Sequence, residues 1–136
     1  MKLWNTNPVH GIRLTGGKGS ALYDDQGRTY IDMFSGTWCN VLGYSHPRLR
    51  RAVEEQAQGL FQTGAAFGTR QIDEGLGELA SILPPELERA VFLNSGSEAV
   101  ELALKMAHAA TGKTGVVVAE KGYYGGTVYA LSLSEA

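Results

Sequence analysis

The chain has 136 residues, enough for one domain, and its 43% hydrophobic residues can supply a core. A formal net charge of −2 gives no basis for binding nucleic acid or an anionic membrane surface. The single cysteine, Cys39, excludes an intrachain disulfide, and no apolar run approaches the ~20 residues of a membrane span. Because no signal peptide is recognisable at the N-terminus, we expect a cytoplasmic protein that does not contact membranes.

The first part of the chain predicts short elements separated by glycine and proline. In chain order these are a strand at 21–24, a strand at 28–34, a loop at 35–44, a helix from His46-Pro47 to Leu60, and a helix over 72–83. The two strands are joined by a turn over Asp24-Asp25-Gln26-Gly27. Proline suits the first turn of the first helix, and Pro84-Pro85 ends the second.

The second part predicts a β-α-β unit, with strands at 90–93 and 115–120 around a helix at 97–110. The second strand is apolar along its length, which favours a parallel sheet buried on both faces and an α/β fold class. The glycine-rich loop at 123–127 follows that strand. Since ligands of open α/β sheets bind at the carboxyl ends of the strands, we expect this loop and the start of the helix to share one edge.

The turn Asn94-Ser95-Gly96-Ser97 opens the central helix, and it predicts a phosphate site. Ser95 is the expected N-cap and Glu98 the third helical residue, the pattern of a capping box. Free backbone N–H groups and the positive end of the helix dipole attract a phosphate at such a position. The alternative is an ordinary well-capped helix start, which is the commoner meaning of a capping box.

Two further features of the central helix can be predicted. Glu101 and Lys105 have the i,i+4 spacing of a favourable ion pair. Gly112 is the expected left-handed residue at the end of the helix. The three histidines, which are His10, His46 and His108, have no metal-ligand spacing among themselves or with Cys39, so no metal site is predicted.

With these features the chain resembles the N-terminal third of a class III aminotransferase, a pyridoxal-phosphate-dependent enzyme of fold type I. Four stretches carry the resemblance in order and spacing: 19–32 (GSALYDDQGRTYID), 42–47 (LGYSHP), 94–105 (NSGSEAVELALK) and 123–127 (YYGGT). Each of these motifs is weak by itself, but the four together cover most of the chain.

The resemblance implies a division into two parts. Residues 1–45 would form a β segment and loop of the small domain, and residues 46–136 would begin the large domain, with its mostly parallel sheet flanked by helices. The family transfers an amino group between an amine or amino acid and a 2-oxo acid, which become the expected substrates. A homodimer is implied as well, because the loop at 62–69 matches a segment that the family places near its dimer interface.

The resemblance also implies which residues form the site. Pyridoxal 5'-phosphate would be held by two groups of residues, the phosphate turn Ser95, Gly96 and Ser97 and the aromatic loop Tyr123, Tyr124 and Gly125. Tyr123 would stack on the pyridine ring of the cofactor. Trp38 matches a region that lines the substrate pocket, although an isolated tryptophan is more often a core residue.

Two positions depart from the family pattern. Tyr124 stands where the family often has histidine. Gly126 stands where relatives acting on acetylornithine, ornithine or 4-aminobutyrate commonly have arginine. Because glycine has no side chain to bind a carboxylate, this position weakens those three substrate assignments.

Transamination needs a lysine that holds the cofactor as a Schiff base and an aspartate that binds its pyridinium nitrogen. In the family both lie far downstream, so we expect them beyond Ala136 and assign no catalytic residue. We therefore expect the N-terminal part of an aminotransferase that leaves apolar sheet edges uncovered. The alternative is a non-catalytic chain, either a truncated domain or a partner subunit, that binds a phosphate ligand without turnover.

Overall fold

A computed structural model of the chain describes residues 10–60, 62–64 and 66–135. These residues form two compact units, one up to Phe67 and the other from Gly68. The division predicted after residue 45, between a small and a large domain, concerns the assembled fold and stays a prediction. The loop at 62–69 includes Ala65, which lies outside the described residues.

The first unit contains a three-stranded antiparallel sheet with β1 at Leu14–Lys18, β2 at Ala21–Asp24 and β3 at Thr29–Ile31, in the order β1-β2-β3. The predicted strand at 21–24 is confirmed, and the next strand is shorter than the predicted 28–34. The sequence did not predict β1, since its two consecutive glycines are poor strand formers. Its pairing with β2, rather than its own propensity, makes it a strand.

The turn between β2 and β3 is built around Asp24, whose side chain is buried. Its carboxylate accepts hydrogen bonds from the N–H groups of Gln26 and Arg28, at 2.9 and 2.8 Å. It also accepts from Arg28 Nε at 2.7 Å and from the Tyr30 hydroxyl at 2.8 Å. Burial would raise the pKa of Asp24, but these hydrogen bonds outweigh it and hold the pKa well below its ordinary value. The predicted turn is thus confirmed and fixed by one carboxylate.

A single helical turn, α1 at Ser35–Trp38, follows the sheet inside the segment predicted as a loop. All four residues have positive φ, with values of 52°, 58°, 64° and 63° from Ser35 to Trp38. The turn is therefore left-handed. Two backbone hydrogen bonds of 3.0 Å close it, from Trp38 N–H to Phe34 O and from Cys39 N–H to Ser35 O.

The helices α2 and α3 are close to their predicted positions. The first, Pro47–Gln58, belongs to the first unit and has proline in its first turn. The second, Arg70–Ile82, belongs to the second unit and begins at Thr69, whose hydroxyl accepts from Ile72 N–H. It ends with Leu83 in extended backbone, as expected of a residue before proline.

The second unit also contains α4 at Gly96–Thr111 and the short α5 at Val128–Ser132. Gly112 ends α4 in the left-handed conformation with φ 67°, and its N–H donates to His108 O at 2.8 Å. Both the helix and its glycine end are therefore confirmed. None of the helices in the described ranges is long and apolar enough to cross a membrane.

The predicted strands at 90–93 and 115–120 are wrong as paired strands, because the structure gives both segments no sheet partner. A parallel strand needs neighbours along its edges, and the described residues do not supply them. Their apolar side chains are consequently exposed, Val91 by 62% and Val117 by 100%. Among the described residues only Ala130 is a buried hydrophobic side chain. Apolar surface is thus uncovered, but it lies on unpaired segments and not on the edges of a sheet.

Candidate functional site

The first turn of α4 is capped by Ser95. Its Oγ accepts from Glu98 N–H at 3.2 Å, and its hydroxyl donates to Glu98 Oε2 at 2.8 Å. The predicted capping box is confirmed in its first half, while the Glu98 carboxylate turns to the Ser95 hydroxyl rather than to the Ser95 N–H. The side chain of Ser95, a predicted cofactor ligand, therefore caps α4.

Gly96 and Ser97, the first two residues of α4, present backbone N–H groups in front of the helix. Neither N–H has an acceptor among the described residues. A Cβ placed on Gly96 would meet nothing within 4 Å, and its φ is not positive, so the chain's own packing does not require glycine there. Glycine instead leaves the space before the helix open. Free N–H groups, the helix dipole and this open space fit a phosphate group.

The aromatic loop lies directly against this helix start. The N–H of Gly126 donates to Ser97 Oγ at 2.9 Å. Gly125 is buried with φ 145°, and a Cβ on it would lie 2.7 Å from Ser97 Oγ. Only glycine allows this approach. Since Ser97 Oγ accepts from Gly126 and its own hydrogen has no acceptor among the described residues, the hydroxyl can donate to an anion.

A second contact joins α4 to the start of α5. Glu101, which is half-buried, accepts from Thr127 Oγ1 at 2.7 Å and from Ala130 N–H at 3.2 Å. The Thr127 hydrogen bond is the main cause that lowers the pKa of Glu101 below its ordinary value. The predicted Glu101–Lys105 pair forms no close ion pair among the described residues, although the charge of Lys105 also helps to lower the pKa of Glu101. Thr127 and Ala130 donate hydrogen bonds to the Glu101 carboxylate instead. Thr127 is 26 residues away in the sequence, so helical periodicity cannot reveal this contact.

The two tyrosines of the loop have different surroundings. The ring of Tyr123 is 75% exposed and therefore free to present a face. Tyr124 is tied within its own segment, because its hydroxyl accepts from Ala119 N–H at 2.7 Å and its N–H donates to Ser134 Oγ at 2.8 Å. The structure thus brings Ser97 and Gly125 into contact next to Gly96. It uses the Tyr124 hydroxyl to shape the loop.

Trp38, the predicted pocket residue, belongs to the first unit and is 76% exposed. Its ring centroid lies 6.3 Å from that of Phe34. It is thus not a core residue of its unit.

A contact that was not predicted from the sequence holds the turn that carries Trp38. Asp32 Oδ1 accepts from the N–H groups of Phe34 and Ser35 at 2.8 and 3.1 Å. Asp32 Oδ2 accepts from the Tyr44 hydroxyl at 2.7 Å. This hydrogen bond lowers the pKa of Asp32 and raises that of Tyr44. An aspartate just before a turn is the signal that could have revealed the first half of this arrangement.

Within residues 10–60, 62–64 and 66–135, no group of three or more His, Cys, Asp or Glu side chains could hold a metal ion.

Residues 4–136 match the family described as Aminotransferase class-III. The chain belongs to the class III aminotransferase family. The prediction made from the four sequence stretches is thereby confirmed, and with it the fold class, since the solved class III relatives are fold type I enzymes.

Three similar proteins illustrate the range of the match. An acetylornithine aminotransferase from Methanopyrus kandleri is 38% identical over 128 residues, which cover 94% of this chain and 33% of the relative. A solved phospholyase from Arthrobacter, in complex with phosphoethanolamine, is 32% identical with a TM-score of 0.80. The match covers 98% of this chain and 30% of the phospholyase chain. The PMP-bound form of an aminotransferase from Vibrio fluvialis is 28% identical with a TM-score of 0.85. The match covers 98% of this chain and 32% of the aminotransferase chain. The chain therefore spans about a third of the length of these relatives.

Proposed function

We propose that this chain forms the cofactor-phosphate site of a pyridoxal-phosphate-dependent class III aminotransferase, within a polypeptide that supplies the remaining catalytic groups. The observation that carries the proposal is the junction of Ser97 with Gly126. The junction leaves the Ser97 hydroxyl hydrogen and the N–H groups of Gly96 and Ser97 without acceptors among the described residues. Three donors at a helix N-terminus match a phosphate dianion.

Each predicted site residue then has a distinct role. Gly96 and Ser97 bind the phosphate, and Ser95 holds the first helical turn in place through its cap. Gly125 brings the aromatic loop against Ser97, and the Tyr124 hydroxyl stabilises that loop. Tyr123 offers its exposed ring as the surface on which the pyridine ring stacks.

Bound pyridoxal phosphate supplies an electron-withdrawing ring that stabilises negative charge at the carbon bearing the amino group. The contribution of this chain is to bind and orient that ring. A phosphate anchored at α4 and a ring face fixed by Tyr123 hold the cofactor at two points. Such positioning is one of the larger contributions that a protein makes to catalysis. The lysine and the aspartate that act on the cofactor are proposed to lie beyond Ala136.

The proposed substrates are an amino donor and a 2-oxo acid acceptor. Gly126 stands where an arginine would bind a substrate carboxylate, so it argues against acetylornithine, ornithine and 4-aminobutyrate as donors. The likeness to an acetylornithine aminotransferase therefore supports the reaction class and not that substrate. Trp38 is proposed to line the substrate pocket. The homodimer and the cytoplasmic location stay predictions.

The alternative is a non-catalytic protein that binds a phosphate ligand at the same helix start. We favour transamination, because the aromatic loop adds a ring surface that a simple phosphate site does not need.

The test is a titration of pyridoxal phosphate into the full-length apoprotein, followed by absorbance, for the wild type and for Ser97→Ala. Losing a hydrogen bond to a charged group costs roughly 1.5–3 kcal/mol, so we expect Ser97→Ala to weaken the affinity about 10- to 100-fold. Ser132→Ala is the matched control, because its hydroxyl donates only locally, to Tyr129 O. Equal affinities for Ser97→Ala and wild type would contradict the phosphate assignment. Binding of inorganic phosphate as tightly as pyridoxal phosphate would favour the alternative.

A further inference from the structure

The left-handed turn α1 is an unfavourable conformation for most of its residues. Left-handed helical backbone is unfavourable for each residue that carries a Cβ, because the Cβ lies too close to the following carbonyl oxygen. Three of the four residues carry a Cβ, and Thr37 is also β-branched. Such a conformation persists only where the surrounding contacts determine it.

Asp32 supplies these contacts from the end of the sheet. Its carboxylate receives the N–H groups of Phe34 and Ser35, the residues that enter the turn. Its own N–H donates to Ser20 O at 2.8 Å, which fixes its backbone at the sheet. The turn is thus held at its beginning by one carboxylate.

Tyr44 fixes the other side of that carboxylate, and Tyr44 is itself held tightly. Its backbone exchanges two hydrogen bonds with Gly19, of 3.0 and 2.8 Å. Its side chain lies so close to Gly17 that a Cβ there would be 2.9 Å from Tyr44 Cβ and Cγ. The next residue adds a bond from Ser45 Oγ to Gly17 O at 2.7 Å. The phenol that reaches Asp32 Oδ2 is therefore rigidly placed.

The consequence falls on Trp38, the last residue of α1. Its N–H closes the turn on Phe34 O, while its side chain is exposed. The direction of a side chain follows from the backbone dihedral angles that carry its Cβ. Return of α1 to a right-handed or extended conformation would point Trp38 elsewhere.

We propose that Asp32 and Tyr44 are positioning residues for substrate discrimination: together they hold α1 left-handed and thereby fix Trp38 as a wall of the substrate pocket. This inference rests on the proposed function, in which Trp38 lines that pocket. Neither residue touches substrate; both act through Trp38.

Tyr44→Phe in the full-length holoprotein is the most direct variant, since it removes one hydroxyl and keeps the ring on Gly17. Tyr30→Phe is a matched control. It removes the hydrogen bond of 2.8 Å from the Tyr30 hydroxyl to Asp24, which is similar in length to the 2.7 Å bond from Tyr44 to Asp32. The Tyr30 bond lies at the β2–β3 turn and not at α1. Asp32→Asn and Asp32→Ala form a second pair, because asparagine keeps an oxygen that can accept the turn N–H groups and alanine does not.

The first readout does not depend on activity. In protein labelled with 5-fluorotryptophan, the ¹⁹F resonance lost in Trp38→Phe belongs to Trp38. We expect Tyr44→Phe and Asp32→Ala to shift or broaden this resonance, Asp32→Asn to change it less, and Tyr30→Phe to leave it as in the wild type.

The second readout is the ratio of kcat/KM for a small and a bulky amine donor. One hydrogen bond of roughly 1 kcal/mol corresponds to about a fivefold change, so we expect Tyr44→Phe to reduce the discrimination about fivefold, mainly through KM. Covalent cofactor incorporation after borohydride reduction should stay at the wild-type level.

The outcomes separate the two proposals. A wild type that incorporates no cofactor would overturn the proposed function, while the ¹⁹F signal would still report on the contact. A wild type that turns over amines, with Tyr44→Phe and Asp32→Ala identical to Tyr30→Phe in both readouts, would overturn the positioning role. If Tyr44→Phe does not fold, the Asp32→Asn and Asp32→Ala pair decides the question by the same two readouts.

Discussion

The N–H of Gly126 donates to Ser97 Oγ at 2.9 Å, and this bond joins the start of α4 to the aromatic loop. The two residues are 29 positions apart, yet both come from stretches that match the class III aminotransferase family. The bond uses the acceptor side of the hydroxyl and leaves its hydrogen for a ligand. One contact therefore does two things: it fixes the loop and it orients a donor.

The two neighbouring glycines of the loop should respond differently to an added methyl group. Gly125→Ala would place a Cβ 2.7 Å from Ser97 Oγ on a backbone with φ 145°, whereas a Cβ on Gly126 meets nothing nearer than Tyr123 Oη at 3.8 Å. We expect Gly125→Ala to lower the free energy of unfolding by about 1–3 kcal/mol. Gly126→Ala should change it little. Denaturant unfolding of the full-length protein measures both.

The same pair tests the site. Gly125→Ala should move the loop away from Ser97 and thereby weaken the binding of pyridoxal phosphate. Gly126→Ala should leave that binding unchanged. If the two variants bind the cofactor equally well, the loop does not act through Ser97.

The contact between Glu101 and Thr127 predicts a pH dependence of stability. The folded state lowers the pKa of Glu101 below its ordinary value of 4.5, so the ionised carboxylate is favoured by folding. Its contribution is complete above pH 4.5 and is lost as the pH falls through the lowered folded-state value. We expect the Tm difference between wild type and Glu101→Gln to be constant near neutral pH and to shrink in acid.

Thermal melts across this pH range measure the effect, with Glu86→Gln at an exposed position as the control. A Tm difference for Glu101→Gln that grows in acid would have the wrong sign for this contact. Thr127→Val should reproduce the loss seen in Glu101→Gln, because it removes the donor and keeps the shape.

Two helices of the second unit begin with the same kind of cap, which separates stability from binding. Ser95 caps α4 and Thr69 caps α3. Replacing either by alanine should cost about 1 kcal/mol of stability. We expect only Ser95→Ala to weaken the affinity for pyridoxal phosphate as well, since it loosens the turn that presents Gly96 and Ser97. Parallel denaturation and cofactor titrations check this, and equal cofactor affinities would show that Ser95 is a cap alone.

Local features of the sequence predicted the three long helices well, but not α1 or α5. The bounds of α2, α3 and α4 agree with the periodic apolar pattern to about two residues, because capping residues, prolines and Gly112 mark their ends. The β2–β3 turn was equally readable from Asp24 and Gly27. These are properties of neighbouring residues.

Features that depend on distant residues were missed or wrong. β1 becomes a strand only through its pairing with β2. Glu101 accepts a hydrogen bond from Thr127 and forms no close ion pair with the nearby Lys105. The strands predicted at 90–93 and 115–120 have the right composition, but their partners are not among the described residues. No pattern predicts the left-handed turn, because its cost is offset by Asp32 and Tyr44 from outside it.

The most direct test of the account is the position of the covalently bound cofactor. The full-length protein would be incubated with pyridoxal phosphate, reduced with borohydride, and mapped by peptide mass spectrometry. We predict one modified lysine, located beyond Ala136. Modification of one of the five lysines of this chain, or no specific modification at all, would contradict the account; those lysines are Lys2, Lys18, Lys105, Lys113 and Lys121.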